Sequence, residues 1–245
     1  MTRRLFARWL VVTAAIFAAG QSFGQCGLLL GAGSCKTVTA SAQVSVDAVG
    51  THTASSAGTT FDYTGLTISG GLTHSALLLI VSVENTSISG LAINWDQAGT
   101  PQAMTQIGTV GPSGGAQMFM FGLVAPTSGN KTARLTWTGS ATVTVAGLSF
   151  SGVNQTSVAA AFANFTTGSF GGTPYSIPVT AGANDIAIGA VQSLNTLGTF
   201  SGTTIYNDGL VFFFEGANYA PGPNPTLSEP NNITGRGLAC AVVAG

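Results

Sequence analysis

Residues 131–150, KTARLTWTGSATVTVAGLSF, carry the pattern that decides the fold. In the first half Ala133, Leu135 and Trp137 alternate with Thr132, Arg134, Thr136 and Thr138, the period of two that places one face of a β-strand in a core and the other in water. In the second half Val143 and Val145 keep the same alternation. The pattern therefore predicts a hairpin, with Ser140 and Ala141 turning Lys131–Thr138 back onto Thr142–Phe150. Leu91, Ile93 and Trp95 repeat the alternation against Ala92, Asn94 and Asp96. Further strands are expected at Gln43–Val49, Ala76–Val83, Met104–Gly108, Gln117–Leu123, Asp185–Val191, Leu210–Gly216 and Arg236–Val243, with turn residues between them and no helical periodicity. That many short strands in one run predict an all-β chain, a two-sheet antiparallel β-sandwich of jelly-roll type, forming one domain over residues 42–245. Pro221–Pro230, with four prolines, reads as a long loop before the last strand.

Two of these strands carry apolar residues on both faces. Met118 and Met120 point opposite to Phe119 and Phe121, and Phe212, Phe213 and Phe214 stand in succession. A sandwich strand buries one face, so the surplus is expected to be covered by the chain's own loops or by another copy of the chain.

Charge is scarce. Lys, Arg, Asp and Glu make up 6% of the 245 residues, against about 25% in an ordinary soluble domain. Arg3, Arg4 and Arg8, the apolar run from Trp9 to Ala19 and the small residues Gly20, Ser22 and Gly24 read as a signal helix in a signal peptide over residues 1–24. Thr2–Phe6 also fits a twin-arginine signal. Residues 25–41 form a leader, and the expected location is outside the cytoplasm of a bacterium: extracellular, cell-surface or periplasmic. Removing the signal leaves Lys36, Lys131, Arg134 and Arg236 against eight acidic residues, a net charge of four minus eight, −4. Four scattered cations exclude nucleic acid as a partner, since that binding needs clustered Lys or Arg contacts to phosphate. The longest apolar run after the signal, Ala76–Val83, is too short for a spanning helix, so no membrane span is expected in the mature chain. Of the three cysteines, Cys26 and Cys35 are the closer pair and the first candidate for a disulfide in an oxidising compartment. A Cys35–Cys240 bridge is the alternative.

Trp95, Asp96, Met104 and Thr105, then Phe121–Pro126, Leu135–Gly139 and Ser149–Thr156, together resemble a group of uncharacterised β-sandwich modules of secreted bacterial and phage-associated proteins. The likeness covers Ala76–Thr156, and its motifs are strand ends, turn glycines and core aromatics. It implies a jelly-roll fold and carries over no catalytic residue. Asn154 and Val158 stand where the pattern has an aspartate and a proline, which weakens the case for an acidic site there.

Candidates for chemistry are few. His52 and His74 are the two histidines, and neither adjoins a nucleophile motif. No metal site or cofactor is expected, because no His or Cys pair has ligand spacing. Glu84, Asp96, Asp208 and Glu215 are the acids a glycosidase or lyase would draw on, whereas Asp62, Asp185 and Glu229 read as loop or turn residues. Glu215 falls on the face of Phe213, where an unpaired carboxylate is costly if buried, or else it marks the strand's exit to solvent. Tyr175, Tyr206 and Tyr219, placed in or near loops, with Asp208, are the candidate ligand-binding residues for stacking on a sugar. The expected function is that of a non-enzymatic exported surface, matrix or adhesive protein acting through binding or self-association. A carbohydrate-binding module is the alternative, and a glycoside hydrolase or polysaccharide lyase the second.

Overall fold

The computed structural model describes residues 42–84, 88–113, 116–208 and 213–245. The signal segment, the leader, and with them Cys26 and Cys35, lie outside the described residues. In chain order the strands are β1 (Ser45–Val49), β2 (Thr53–Ala54), β3 (Gly58–Tyr63), β4 (Thr67–Ile68), β5 (Ala76–Glu84), β6 (Ser89–Trp95), β7 (Gln102–Ala103) and β8 (Thr105–Ser113). They continue as β9 (Ala116–Val124), β10 (Gly129–Asn130), β11 (Ala133–Ser151), β12 (Phe162–Pro178), β13 (Ile186–Ser193), β14 (Thr203–Asp208), β15 (Phe214–Pro221) and β16 (Thr226–Val242). A single helical turn, α1 (Val158–Ala161), is capped by Ser157, whose hydroxyl accepts the Ala160 N–H. All strand pairings are antiparallel. β7-β6-β11-β5-β9-β8 form one sheet, to which β1, β2 and β3 add along β11; β12-β16-β13-β15-β14 form a second; β4 and β10 pair separately.

Residues 131–150 do not form the expected hairpin. β11 is one strand of 19 residues that changes partners at its middle. Residues Ala133–Thr136 pair with β3, and Thr142–Phe150 pair with β5. The register slips between Thr136 and Ala141, around Gly139 at φ 95°. A positive-φ glycine with unpaired residues bends a strand without reversing it, because a reversal would need the two halves to pair with each other. The expected loop at Pro221–Pro230 is also corrected: β16 begins at Thr226, and Thr226–Glu229 pair with β12.

The bend in β11 wraps the first sheet around a core of its own. Leu77, Leu79, Val81, Phe119, Phe121, Val143 and Val145 on one face of the β5, β9 and β11 ladder meet Tyr63, Ile93, Trp95, Leu135 and Trp137. The opposite face, with Leu78, Ile80, Met118, Met120, Leu148 and Phe150, packs on Ile188, Leu238, Cys240 and Val242 of the second sheet. The apolar surplus on β9 is thus covered by two layers of the same chain. β12 and β16 then curl back at bulges between Gly171 and Thr173, so that Tyr175, Ile177, Leu227 and Ile233 cover Ala187, Val191, Ala239 and Ala241. Each large aliphatic side chain buried this way contributes about 1.5–3 kcal/mol. Cys240 is buried, and desolvation pushes its thiol up to about 12; Cys35, its partner in the alternative pairing, lies outside the described residues.

Candidate functional site

Among the described residues a dense polar cluster between the two sheets is built around His52, in the segment linking β1 and β2. This segment is laid along β11: Gly50 N donates to Gly147 O at 2.8 Å, and β2 pairs with Thr144 and Val145. The approach is close enough that a Cβ at Gly50 would overlap Tyr63 Oη, and that hydroxyl donates to Thr51 O at 3.0 Å. So held, His52 points inward with its side chain 3% exposed.

Its two ring nitrogens face two carboxylates. Nδ1 lies 2.8 Å from Asp208 Oδ1 and Nε2 lies 3.0 Å from Glu215 Oε2. Asp208 and Glu215 are register partners across β14 and β15, which is why one ring reaches both. The imidazole stacks on Tyr206 with centroids 4.0 Å apart and planes 18° from parallel. Glu215, fully buried, accepts a further hydrogen bond from Thr144 Oγ1 at 2.6 Å on Oε2 and one from Gln192 Nε2 at 3.2 Å on Oε1. Gln192, opposite Glu215 on β13, also lies 3.4 Å from Glu84 Oε1 and from Val83 O. Thr144 and Glu84 of the first sheet thereby join Gln192, Glu215 and Asp208 of the second.

A neutral imidazole has one N–H and leaves the other nitrogen's lone pair against a carboxylate oxygen; only the imidazolium donates to both. Burial pushes the His52 pKa down, but the hydrogen bonds and charges of Glu215 and Asp208 outweigh it and raise the group above its ordinary 6.5. Burial also lifts the Tyr206 hydroxyl well above its ordinary value, and both carboxylates add to the rise.

The structure brings together three of the four sequence-nominated acids, Asp208 and Glu215 as the partners of a histidine and Glu84 behind them, against Gln192. Asp96 stands apart, in a left-handed turn at φ 55°, 3.4 Å from Lys131 Nζ and accepting from Thr127 Oγ1. Tyr175 and Tyr206 are not loop residues. Tyr175 is fully buried in β12, edge-on to Phe170 and Phe200, and Tyr206 lies in β14 under His52. Neither offers a face to a sugar; Tyr219, in β15, is half-buried against the central core. Glu229 is likewise a buried strand residue, accepting the Gly198 and Asn231 N–H groups at 2.5 and 3.0 Å. Among the described residues no group of three or more His, Cys, Asp or Glu is arranged to hold a metal ion. His74 is an exposed turn residue at φ 52°.

His52 was legible only as an arithmetic clue. Glu215, set on an apolar face, needs a partner, and the mature chain offers four other cations for eight acids. The chain matches no protein-family model, no curated protein and no solved structure to which it was compared.

Among the described residues His52 and Glu215 are shielded from solvent, their side chains 3% and 0% exposed. An imidazole fills the space between Asp208 and Glu215 where a glycosidase would seat its substrate, and Asp208, with its side chain 36% exposed, is the member of the trio that meets solvent.

Proposed function

We propose that the chain is an exported, non-enzymatic surface or extracellular matrix protein that acts by contact, through binding and self-association of its uncharged outer faces. The observation that carries this reading is the state of His52, whose two ring nitrogens are both engaged by carboxylates inside the protein. His52 and Glu215 are turned inward, and the outer faces carry mainly hydroxyl, amide and glycine groups. β12 illustrates this: its exposed positions are Asn, Thr, Ser, Gly and Pro, among them Asn164, Thr167, Ser169 and Thr173, and no charged residue occurs from Phe162 to Pro178. It is also a terminal strand of its sheet. Lysines that commonly keep such edges from pairing with other chains are missing here. A jelly-roll arrangement of the sheets and export by residues 1–24 belong to the same reading.

Sedimentation of the mature chain over a concentration series tests it. Association that grows with concentration and weakens in a Thr167→Lys, Ser169→Lys double variant is expected. A strict monomer at high concentration removes self-association from the proposal. The carbohydrate-binding alternative has lost two of its three tyrosines to the core, and no observation favours it.

A further inference from the structure

Glu215 is flanked by two groups that can react with one another, a hydroxyl and a carboxamide. Thr144 Oγ1 donates to its Oε2 at 2.6 Å, and Gln192 Nε2 donates to its Oε1 at 3.2 Å. His52 Nε2 lies 3.0 Å from the same Oε2, with Asp208 fixing the far side of the ring. A nucleophile, a carboxylate able to carry its proton, a charged imidazole and an acyl group are thus packed in one place. Thr144, Gln192 and Glu215 are all within 2% of complete burial, so no bulk water competes for the acyl carbon.

Gln192 is also loosely held. Its two N–H groups are spread over Glu215, Glu84 and Val83 at 3.2–3.4 Å, and its carbonyl oxygen is buried without a hydrogen-bond partner. A buried unsatisfied amide oxygen calls for an explanation. An ester carbonyl is a weaker acceptor than an amide carbonyl, and in such a place it is the less penalised of the two.

We propose that Thr144 and Gln192 condense into an ester that covalently joins the two sheets. Glu215 takes the hydroxyl proton as Thr144 Oγ1 attacks Cδ of Gln192, once the carboxamide has turned toward it, and an O–C bond forms. The tetrahedral adduct then collapses with cleavage of the Cδ–Nε2 bond. The proton carried by Glu215 passes to the departing nitrogen, ammonia leaves, and Glu215 is restored. Nothing is oxidised or reduced, and no co-reactant is needed. His52, held by Asp208, positions Glu215 and offsets the negative charge that develops beside it. Burial afterwards shields the ester from hydrolysis. The product ties β11 to β13 where the described residues contain no disulfide, a bond suited to a chain that works outside the cell by contact.

Intact-mass measurement of the denatured full-length chain tests this, with N-terminal processing read from the N-terminal peptide. The expected mass is lighter than that of the sequence by one ammonia. The deficit vanishes in Thr144→Val and persists in Thr144→Ser. Brief alkali adds back one water, leaving Glu at position 192, and digestion yields one branched peptide containing residues 144 and 192. A wild-type chain at its sequence mass overturns the proposal. So does a deficit of one water, which would mean a Thr144–Glu215 ester, and so does an ammonia deficit retained in Thr144→Val, which would mean cyclisation of an N-terminal glutamine. The wild-type measurement decides the matter even where a variant fails to fold.

Discussion

At the scale of single residues, the buried polar contacts are where losing one partner is felt most. Removing one partner of a buried, hydrogen-bonded charge pair leaves the other charge without compensation, at a cost of about 3–5 kcal/mol. His52→Ala strips both Asp208 and fully buried Glu215 of their shared cation, and urea denaturation is expected to show a loss of that size. Arg134→Ala is the contrasting case. Its two-pronged contact with Asp62, at 2.7 and 2.6 Å, sits in solvent with both side chains more than 40% exposed, and the urea midpoint is expected to stay where it is.

The same histidine sets a pH dependence. Asp208, Glu215 and Tyr206 are the titratable groups that face its ring, and Glu84 lies behind Gln192. Because its folded pKa is raised above 6.5, its stabilising contribution is fully present below that value and is lost as pH rises through the higher folded pKa. Urea midpoints measured from pH 5 to about 9 are expected to fall on the alkaline side, with that fall flattened in His52→Gln. A midpoint that rises through the same range would contradict the assignment of His52 as the shared cation.

At the scale of elements, corners decide the topology. β11 bends at Gly139, whose φ of 95° is a conformation other residues adopt only under strain, at about 1–3 kcal/mol. Gly139→Val is therefore expected to lower the thermal midpoint, whereas Gly70→Ala, with open space around the added carbon, leaves it unchanged. The alternation of Ala133, Leu135 and Trp137 identified a strand correctly, as did Leu91, Ile93 and Trp95. The same alternation had no means of telling a bent strand from a hairpin. Local pattern records which face is buried, while the choice between bend and reversal depends on which distant strand supplies the hydrogen bonds, and here those strands are β3 and β5. The curled β12 and β16 pair was hidden for a related reason: Gly168, Gly171, Gly172, Pro174 and Pro178 dilute the alternation that a flat strand would show.

At the scale of the molecule, layers of one chain cover each other so completely that the apolar faces of β5 and β9 leave nothing for a partner to bury. Among the described residues the surface left for contact between copies is then mainly backbone edges and hydroxyl-rich faces, with Val49 and Leu194 the large apolar side chains that stand exposed. Attraction of that kind owes little to charge, so sedimentation profiles at low and high salt are expected to coincide. The sequence by itself determined the all-β class, most of the strands and the scarcity of charge, because each follows from composition or from a period of two along a short segment; for Glu215 it left burial with a partner and exit to solvent both open. Only the tertiary structure decided that this partner is His52, 163 positions earlier in the numbering, and that Tyr175 and Tyr206 are core residues. Contacts between segments so far apart in the chain arise when sheets stack, and stacking is set by the bends in β11 and β12, about which a linear pattern carries no information.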